Sequence, residues 1–240
     1  MNWEDLKVYT PLKKERLKTA YKDLTKIIAD NLSADGFKLK GRKLIKQSND
    51  LFHIIHLDTR GSWMGTSDGF KTEISICSIY DADTFILNYE LTASKKIEDL
   101  IAKIRNYYRI TQEYPLLADF LTRKIRESIL PYFSQYKSSR DVLNNLTKFK
   151  LDNITEITER NANLILYCEL ANKAALKSSE ILIDRLTKYR KIKLDDKIVK
   201  HTEFLLSLIN GKLLKKCLTT TKDKYLKNLK LKYCEIKQTA

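Results

Sequence analysis

The stretch that decides the fold is LFHIIHLD, residues 51–58. This short apolar run follows the trio Ser48-Asn49-Asp50, and the segment FKLKGRKLIK, residues 37–46, comes before that trio. Serine, asparagine and aspartate favour turns, because their side chains can bond to nearby backbone groups. Two short segments on either side of such a turn are typical of a β-hairpin, so we predict one strand on each side.

Two further segments downstream have the alternation of a strand. In FKTEISICSIY, residues 70–80, and in DTFILNYELT, residues 83–92, every second residue is largely apolar. Alternation of this kind places one face of a strand towards a core. Four strands with no helix between them favour an antiparallel meander over a parallel sheet.

A helix is expected before the sheet. Leu17, Tyr21, Leu24 and Ile28 recur at helical spacing, which predicts an amphipathic helix over residues 12–34. Gly36 would end it, because glycine accepts the left-handed conformation that follows many helices. This helix must cover one face of the sheet.

Beyond Ser94 the pattern is helical throughout. The predicted helices cover residues 97–110, 115–131, a short stretch opened by the capping box Ser138–Asp141, 155–191 and 195–209. Pro131 should end the second of these, and Asn210-Gly211 the last. The fold class is therefore α+β, with a four-stranded antiparallel meander packed on an N-terminal helix and an all-helical C-terminal region. We expect an α+β domain over residues 1–152 and a basic helical region over residues 153–240.

Most of the net positive charge of the chain lies in its C-terminal half. The formal net charge is +15 over 240 residues; residues 1–120 hold 19 Lys+Arg and 17 Asp+Glu, whereas residues 121–240 hold 26 and 13. Such a field attracts nucleic acid, anionic membrane or an acidic protein. A simpler alternative stays open, because a genome poor in G and C also produces lysine-rich surfaces that are merely solvated.

Composition also bears on location. No stretch approaches the roughly 20 apolar residues that cross a bilayer, and the N-terminus has no apolar core of the kind a secretory signal needs. The four cysteines are far apart and show no C-x-x-C spacing, which favours reduced structural thiols. We expect a cytoplasmic protein with no transmembrane segment, no peripheral membrane contact, no metal and no cofactor.

The glycine-rich stretch RGSWMGTSDGF, residues 60–70, is the first candidate for a binding loop. A phosphate-binding loop needs a Lys-Ser or Lys-Thr pair and a helix after it, and this stretch has neither. It therefore reads as a long hairpin loop. Its tip would expose Trp63 and Met64, and a partner-binding role for Arg60, Trp63, Met64 and Asp68 stays open beside the role of a simple turn.

Histidine chemistry has little support in the sequence. His53 and His56 are three apart in a predicted strand, so they should point to opposite faces and cannot hold one metal ion. His201 lies in a helical region with no serine or cysteine motif around it. We assign no catalytic residue.

The most unusual feature is the tail KLLKKCLTTTKDKYLKNLKLK, residues 212–232, in which leucines alternate with eight lysines and a single aspartate. A basic amphipathic helix of this kind could bind anionic lipid, a nucleic-acid backbone or an acidic partner. It could equally pack its leucines on a helical bundle while its lysines stay in water. The candidate polyanion-binding residues are Lys212, Lys215, Lys216, Lys222, Lys224, Lys227, Lys230 and Lys232.

Two stretches carry a family resemblance over about residues 10–150. The run LSADGFKLKGRKLIKQSNDLFHIIHLD, residues 32–58, and the run ILPYFSQYKSSRDVLNNL, residues 129–146, resemble the family known as domain of unknown function 4304. Its members combine a Gly-Phe pair, basic residues and a strand pair with a later Leu-Pro segment and a short helix. The resemblance implies an α+β fold and carries no catalytic residue across.

Together these features favour a non-enzymatic protein-interaction module, for which a toxin-neutralising, immunity-like role is one form. Nuclease inhibitors tend to be acidic because they imitate nucleic acid, so a chain of +15 should instead meet a partner with an acidic face. The alternative is a nucleic-acid-associated protein that binds the phosphate backbone through its C-terminal lysines. An enzyme assembled from distant segments is a third reading.

Overall fold

The computed structural model describes residues 3–58, 69–80, 93–96, 100–101 and 108–145, and single residues or short runs between 164 and 223. Helices and an antiparallel sheet together make an α+β fold, as the sequence predicts. The strands are β1 (Lys38–Lys40), β2 (Lys43–Ser48), β3 (Leu51–Asp58), β4 (Gly69–Ser78), β5 (Ala93–Lys96) and β6 (Tyr108–Arg109).

The sheet follows the order of the chain. Strands β1 to β5 are neighbours in sequence order, and β6 pairs with β4. The sheet therefore has more strands than the four-stranded meander that the sequence suggested. The segment predicted as a strand at 83–92 falls outside the described residues, so this strand remains a prediction.

The segment FKLKGRKLIK forms two strands rather than one. Gly41 has a φ of 61°, and the chain reverses there so that Lys40 lies opposite Lys43 in antiparallel register. A left-handed residue at a two-residue turn is what glycine supplies at no steric cost. This turn was not predicted from the sequence, because the lysines and the arginine around Gly41 are not residues that favour turns.

Strand β3 is buried on both faces. Every residue from Leu51 to Leu57 is buried, and only Asp58 is partly exposed. The predicted turn before it is confirmed: β2 ends at Ser48, β3 begins at Leu51, and Asn49 has a φ of 50°. A strand without a solvent face must be covered on both sides, and its polar side chains must find partners inside the protein.

The prediction that everything beyond Ser94 is helical is wrong at two places. Residues 93–96 form β5, and Tyr108 and Arg109 form β6, in which Tyr108 lies opposite Phe70. The Tyr108 ring also contacts Phe120, with 5.8 Å between ring centroids. Strand pairing and aromatic packing therefore override the helical period of this segment, as tertiary contacts commonly override local pattern.

The first helix, α1 (Lys14–Asn31), ends earlier than expected: Leu32 is its C-cap residue, and the left-handed Gly36 closes the turn that follows. Gly36 has a φ of 88°, and the Phe37 amide donates to the Leu32 carbonyl across 3.3 Å. This is the Schellman arrangement, in which the residue after the glycine packs against the last turn. Leu32 and Phe37 are both buried.

The second long helix passes through Pro131. It consists of α2 (Tyr114–Lys124), a wider π turn over Ile125–Ile129, and α3 (Leu130–Ser134). The expectation that Pro131 ends the helix is wrong. Proline lacks an N–H and its ring collides with the carbonyl four residues earlier, and the π turn just upstream opens the helix at that point.

The predicted capping box is confirmed at α4 (Ser139–Asn144). The Ser138 hydroxyl accepts from the Asp141 amide, and the Asp141 carboxylate accepts from the Ser138 amide. Asp50 adds a second cap, because its carboxylate accepts from the Ser139 amide at 2.9 Å and bonds to the Ser139 hydroxyl. The expected extension of this helix to Leu146 lies beyond the described part.

The segment that precedes α1 is attached to the residues around the start of α2. The Thr10 amide donates to both carboxylate oxygens of Glu113, at 3.2 and 3.1 Å, and Pro11 forms an antiparallel bridge with Thr111. Near the N-terminus the buried Trp3 ring meets Tyr108, with centroids 6.3 Å apart. Residues far apart in sequence thus form one cluster.

The chain divides into two compact units. One comprises Met1–Lys46, His53–Ser75 and Ser94–Gln135, and the other comprises Gln47–Phe52, Ile76–Ala93 and Tyr136–Ala240. The boundary that the sequence suggested near residue 152 lies in a stretch that the structure does not describe. Among the described residues, no helix has the length and apolar character needed to cross a membrane.

Gly36→Ala tests the left-handed turn that follows α1. An added Cβ would lie 3.5 Å from its nearest neighbour, so space is available and the penalty is one of backbone conformation. We expect a loss of about 1–2 kcal/mol in the free energy of unfolding, measured by urea denaturation. Ala34→Ser, an exposed change in the same turn, is the control. Equal stability of Gly36→Ala and wild type would contradict the assignment.

Glu113→Gln tests the attachment of the N-terminal segment. Burial alone would raise the pKa of Glu113, but its hydrogen bonds, including those from Thr10, outweigh burial and hold the pKa below its ordinary value of 4.5. A lowered pKa stabilises the fold above pH 4.5, and this contribution disappears as the pH falls through the folded-state pKa. The variant should therefore melt below wild type at neutral pH, and the gap should close in acid. A gap independent of pH would contradict this.

Candidate functional site

Both described histidines are buried and contact other side chains. The His56 Nε2 atom lies 2.7 Å from the Ser75 hydroxyl, and both residues are buried. The His53 ring stacks on Phe133 with centroids 4.5 Å apart and an angle of 4° between the planes. Within the described residues, no group of three or more histidine, cysteine or acidic side chains could hold a metal ion.

The glycine-rich loop itself lies outside the described residues, and with it Arg60, Trp63, Met64 and Asp68. Residues 59–68 connect β3 and β4, which are neighbours in the sheet. The end of β3 that leads into them is firmly held. Arg42 forms a 3.1 Å ion pair with Asp58, and the Leu57 amide donates to the Arg42 carbonyl at 2.8 Å. The partner-binding role of this loop stays a prediction.

Tyr21 completes the arrangement at this end of β3. Its hydroxyl donates to the Leu57 carbonyl at 2.7 Å, and the Arg42 guanidinium lies 5.7 Å from the centre of its ring. Burial raises the pKa of Tyr21 to about 12, partly offset by Arg42 and reinforced by Asp58. Tyr21 is therefore a neutral hydrogen-bond donor that ties α1 to the sheet.

Two of the eight candidate tail lysines are described. Lys212 and Lys216 are both exposed, and Lys216 belongs to a stretch whose described residues are helical as far as Asp223. The candidates outside the described residues are Lys215, Lys222, Lys224, Lys227, Lys230 and Lys232. The described residues of the predicted helix at 195–209 are also helical.

The turn between these helical stretches has a left-handed residue at Lys212, with a φ of 55°, and the Leu213 amide donates to the Leu208 carbonyl at 2.7 Å. A six-to-one hydrogen bond of this kind also closes the turn at Gly36. A lysine rarely adopts this conformation. The predicted helix break at Asn210-Gly211 lies outside the described residues.

Two large apolar side chains in this part of the chain are exposed. Phe204 and Leu213 are each 51% exposed. The Cys217 amide donates to the Leu213 carbonyl, so Leu213 lies at the start of the helical stretch that contains Lys216. The sequence alone left open whether Leu213 packs on a bundle, and the structure places it at the surface. We call Lys212, Leu213 and Lys216 the tail surface.

Comparison with known proteins adds no further constraint. No protein-family model, no curated protein and no solved structure matches this chain significantly. The assignment of function therefore depends on the residues themselves.

Lys212→Gly tests the left-handed turn. Glycine removes a strain of about 1–2 kcal/mol but adds freedom to the unfolded chain, so we expect a net gain of about 0.5–1 kcal/mol in denaturant unfolding. Lys216→Gly is the matched control, because the same substitution inside an exposed helix should cost about 1 kcal/mol. Destabilisation by both variants would contradict the turn.

Proposed function

We propose that this protein is a non-enzymatic protein-interaction module whose C-terminal region binds a partner with an acidic face. The observation that carries the proposal is the tail surface, where Leu213, half exposed, lies at the start of the helical stretch that contains the exposed Lys216. Apolar anchors surrounded by charged residues are the usual composition of a protein-binding surface.

The apolar part of the tail surface is what favours a protein over a polyanion. Binding to a phosphate backbone depends on cations and polar donors and gains little from an exposed aliphatic side chain. A protein partner can bury Leu213 and place carboxylates opposite Lys212 and Lys216. Full burial of a leucine side chain contributes about 1.5–3 kcal/mol. Because Leu213 is half exposed, covering the rest of it contributes on the order of 1 kcal/mol.

The narrower form of the proposal is a toxin-neutralising protein of the cytoplasm. It is supported by the positive charge excess and by the described histidines, which contact Ser75 and Phe133. A second contact through Trp63, which lies outside the described residues, is part of this proposal. The resemblance to domain of unknown function 4304 is part of this proposal and implies no activity. A toxin-like gene beside this one would support the narrower form.

The second candidate is binding of nucleic acid through the tail lysines. The observation that favours it is the excess of 26 Lys+Arg over 13 Asp+Glu in residues 121–240, with Lys212 and Lys216 exposed. Such binding would be independent of base sequence and would fall steeply with salt, because each neutralised phosphate releases counterions.

Fluorescence anisotropy with three labelled probes separates these candidates. The probes are a peptide of alternating glutamate and leucine, the same peptide with serine in place of leucine, and a mixed-sequence RNA of equal charge. We expect the leucine peptide to bind at least about fivefold more tightly than the serine peptide, since leucine burial adds to charge pairing. Leu213→Ser should remove most of that difference.

Matched variants define the contradicting results. Lys212→Gln combined with Lys216→Gln should weaken both peptides, whereas Lys26→Gln, an exposed change on α1, should weaken neither. Circular dichroism checks that Leu213→Ser keeps its helix content. Equal binding of the two peptides contradicts the proposal, and RNA binding that exceeds both and ignores Leu213→Ser establishes the second candidate in its place.

A further inference from the structure

A cleft runs along α1 where that helix faces the residues just before α2. Its volume is about 240 Å³. Arg16, Thr19 and Asp23 contribute polar side chains from α1, and Gln112 and Tyr114 contribute them from the opposite wall. All of these residues belong to the same compact unit.

The walls of the cleft are held in place by contacts already described. The Gln112 amide donates to the Thr10 carbonyl at 3.0 Å, next to the bridge between Pro11 and Thr111. The Tyr114 hydroxyl donates to the Asp23 carboxylate at 3.2 Å. The two walls are therefore connected at both ends, and the cleft exists before any ligand binds.

The cleft is small, which limits its ligand. At about 240 Å³ it is smaller than the roughly 300–1,000 Å³ of pockets that hold drug-sized ligands, so it suits a smaller molecule. The lining also includes two apolar residues, Leu12 and the buried Ala20. A short aliphatic spacer would lie against them without losing hydrogen bonds.

The cleft carries one charge of each sign. Arg16 and Asp23 are seven residues apart on α1, which puts them on one face with about 10 Å between their backbones along the axis. Burial and the Asp23 carboxylate raise the pKa of Tyr114, and Arg16 lowers it, so the phenol lies within electrostatic reach of both charges. In the described part of the chain, no carboxylate forms an ion pair with Arg16.

We propose that this cleft binds a small zwitterion whose carboxylate meets Arg16 and whose ammonium group meets Asp23. Thr19 and Gln112 provide further hydrogen bonds along its length. The two residues are two helical turns apart, which favours molecules whose ammonium and carboxylate are separated by several bonds, such as a dipeptide or an ω-amino acid. An α-amino acid, whose two charged groups share one carbon, should bind more weakly. This inference is independent of the tail surface.

A series of zwitterions of increasing length tests whether the cleft prefers well-separated charges. Isotope-labelled full-length protein is titrated with glycine, β-alanine, 4-aminobutanoate and glycylglycine to about 50 mM, which covers the weak affinity of ligands this small. We expect saturable shifts of the α1 amides and the Gln112 side-chain amide with the two longer compounds. Glycine should bind at least about fivefold more weakly, as should butanoate and butylamine, which each carry one charge.

Variants identify the groups responsible. Arg16→Gln and Asp23→Asn should each weaken 4-aminobutanoate at least about fivefold, because each removes one charge-assisted contact. Lys26→Gln should leave binding unchanged, and thermal unfolding confirms that each variant is folded. The inference is overturned by three results: no saturable shift with any of the four compounds, glycine binding as tightly as 4-aminobutanoate, or variants that bind like Lys26→Gln.

Discussion

The rest of the structure depends on the complete burial of β3. Seven consecutive residues, from Leu51 to Leu57, are out of water, so neither face of this strand can be left open. Two of the seven are histidines, and a buried polar group without a partner is costly. His56 is satisfied by Ser75, and His53 stacks on Phe133. The strand thus dictates which residues of its surroundings must be polar or aromatic.

The elements around β3 follow from this requirement. Tyr21 ties α1 to the end of β3 through the Leu57 carbonyl, and Phe133 is brought to His53 by a helix that continues through Pro131. The π turn before Pro131 is therefore part of the packing. At the other end of the strand, Asp50 caps α4.

Features that depend on neighbouring residues could be predicted from the sequence. The glycine at position 36, the turn at Ser48-Asn49-Asp50 and the capping box at Ser138–Asp141 are local devices, and the structure has all three. Features that depend on distant residues could not be predicted. Tyr108 pairs with Phe70, 38 positions away in the numbering, and no periodicity records that. Lys212 takes a left-handed conformation that its residue type disfavours, so residue preferences could not point to it.

The candidate sites also combine properties that the sequence shows with properties that only the structure shows. The charge excess and the tail lysines are compositional facts that the sequence displays. The exposure of Leu213 and Phe204 needed the structure, because a leucine at helical spacing can face either a core or the solvent. The cleft beside α1 could not be found from the sequence at all. Asp23 and Tyr114 are 91 positions apart, and only the packing of α1 beside α2 brings them together.

Hydrogen exchange across the chain tests the central claim, the complete burial of β3, most directly. Amides of a strand that is buried on both faces should exchange only when the whole protein unfolds, so the amides of residues 52–57 should be among the slowest and should follow the global free energy of unfolding as denaturant is added. Amides of the exposed helical residues Glu203, Phe204 and Ser207 should exchange by local opening and be much faster. Exchange of the β3 amides as fast as that of these three residues would contradict the account.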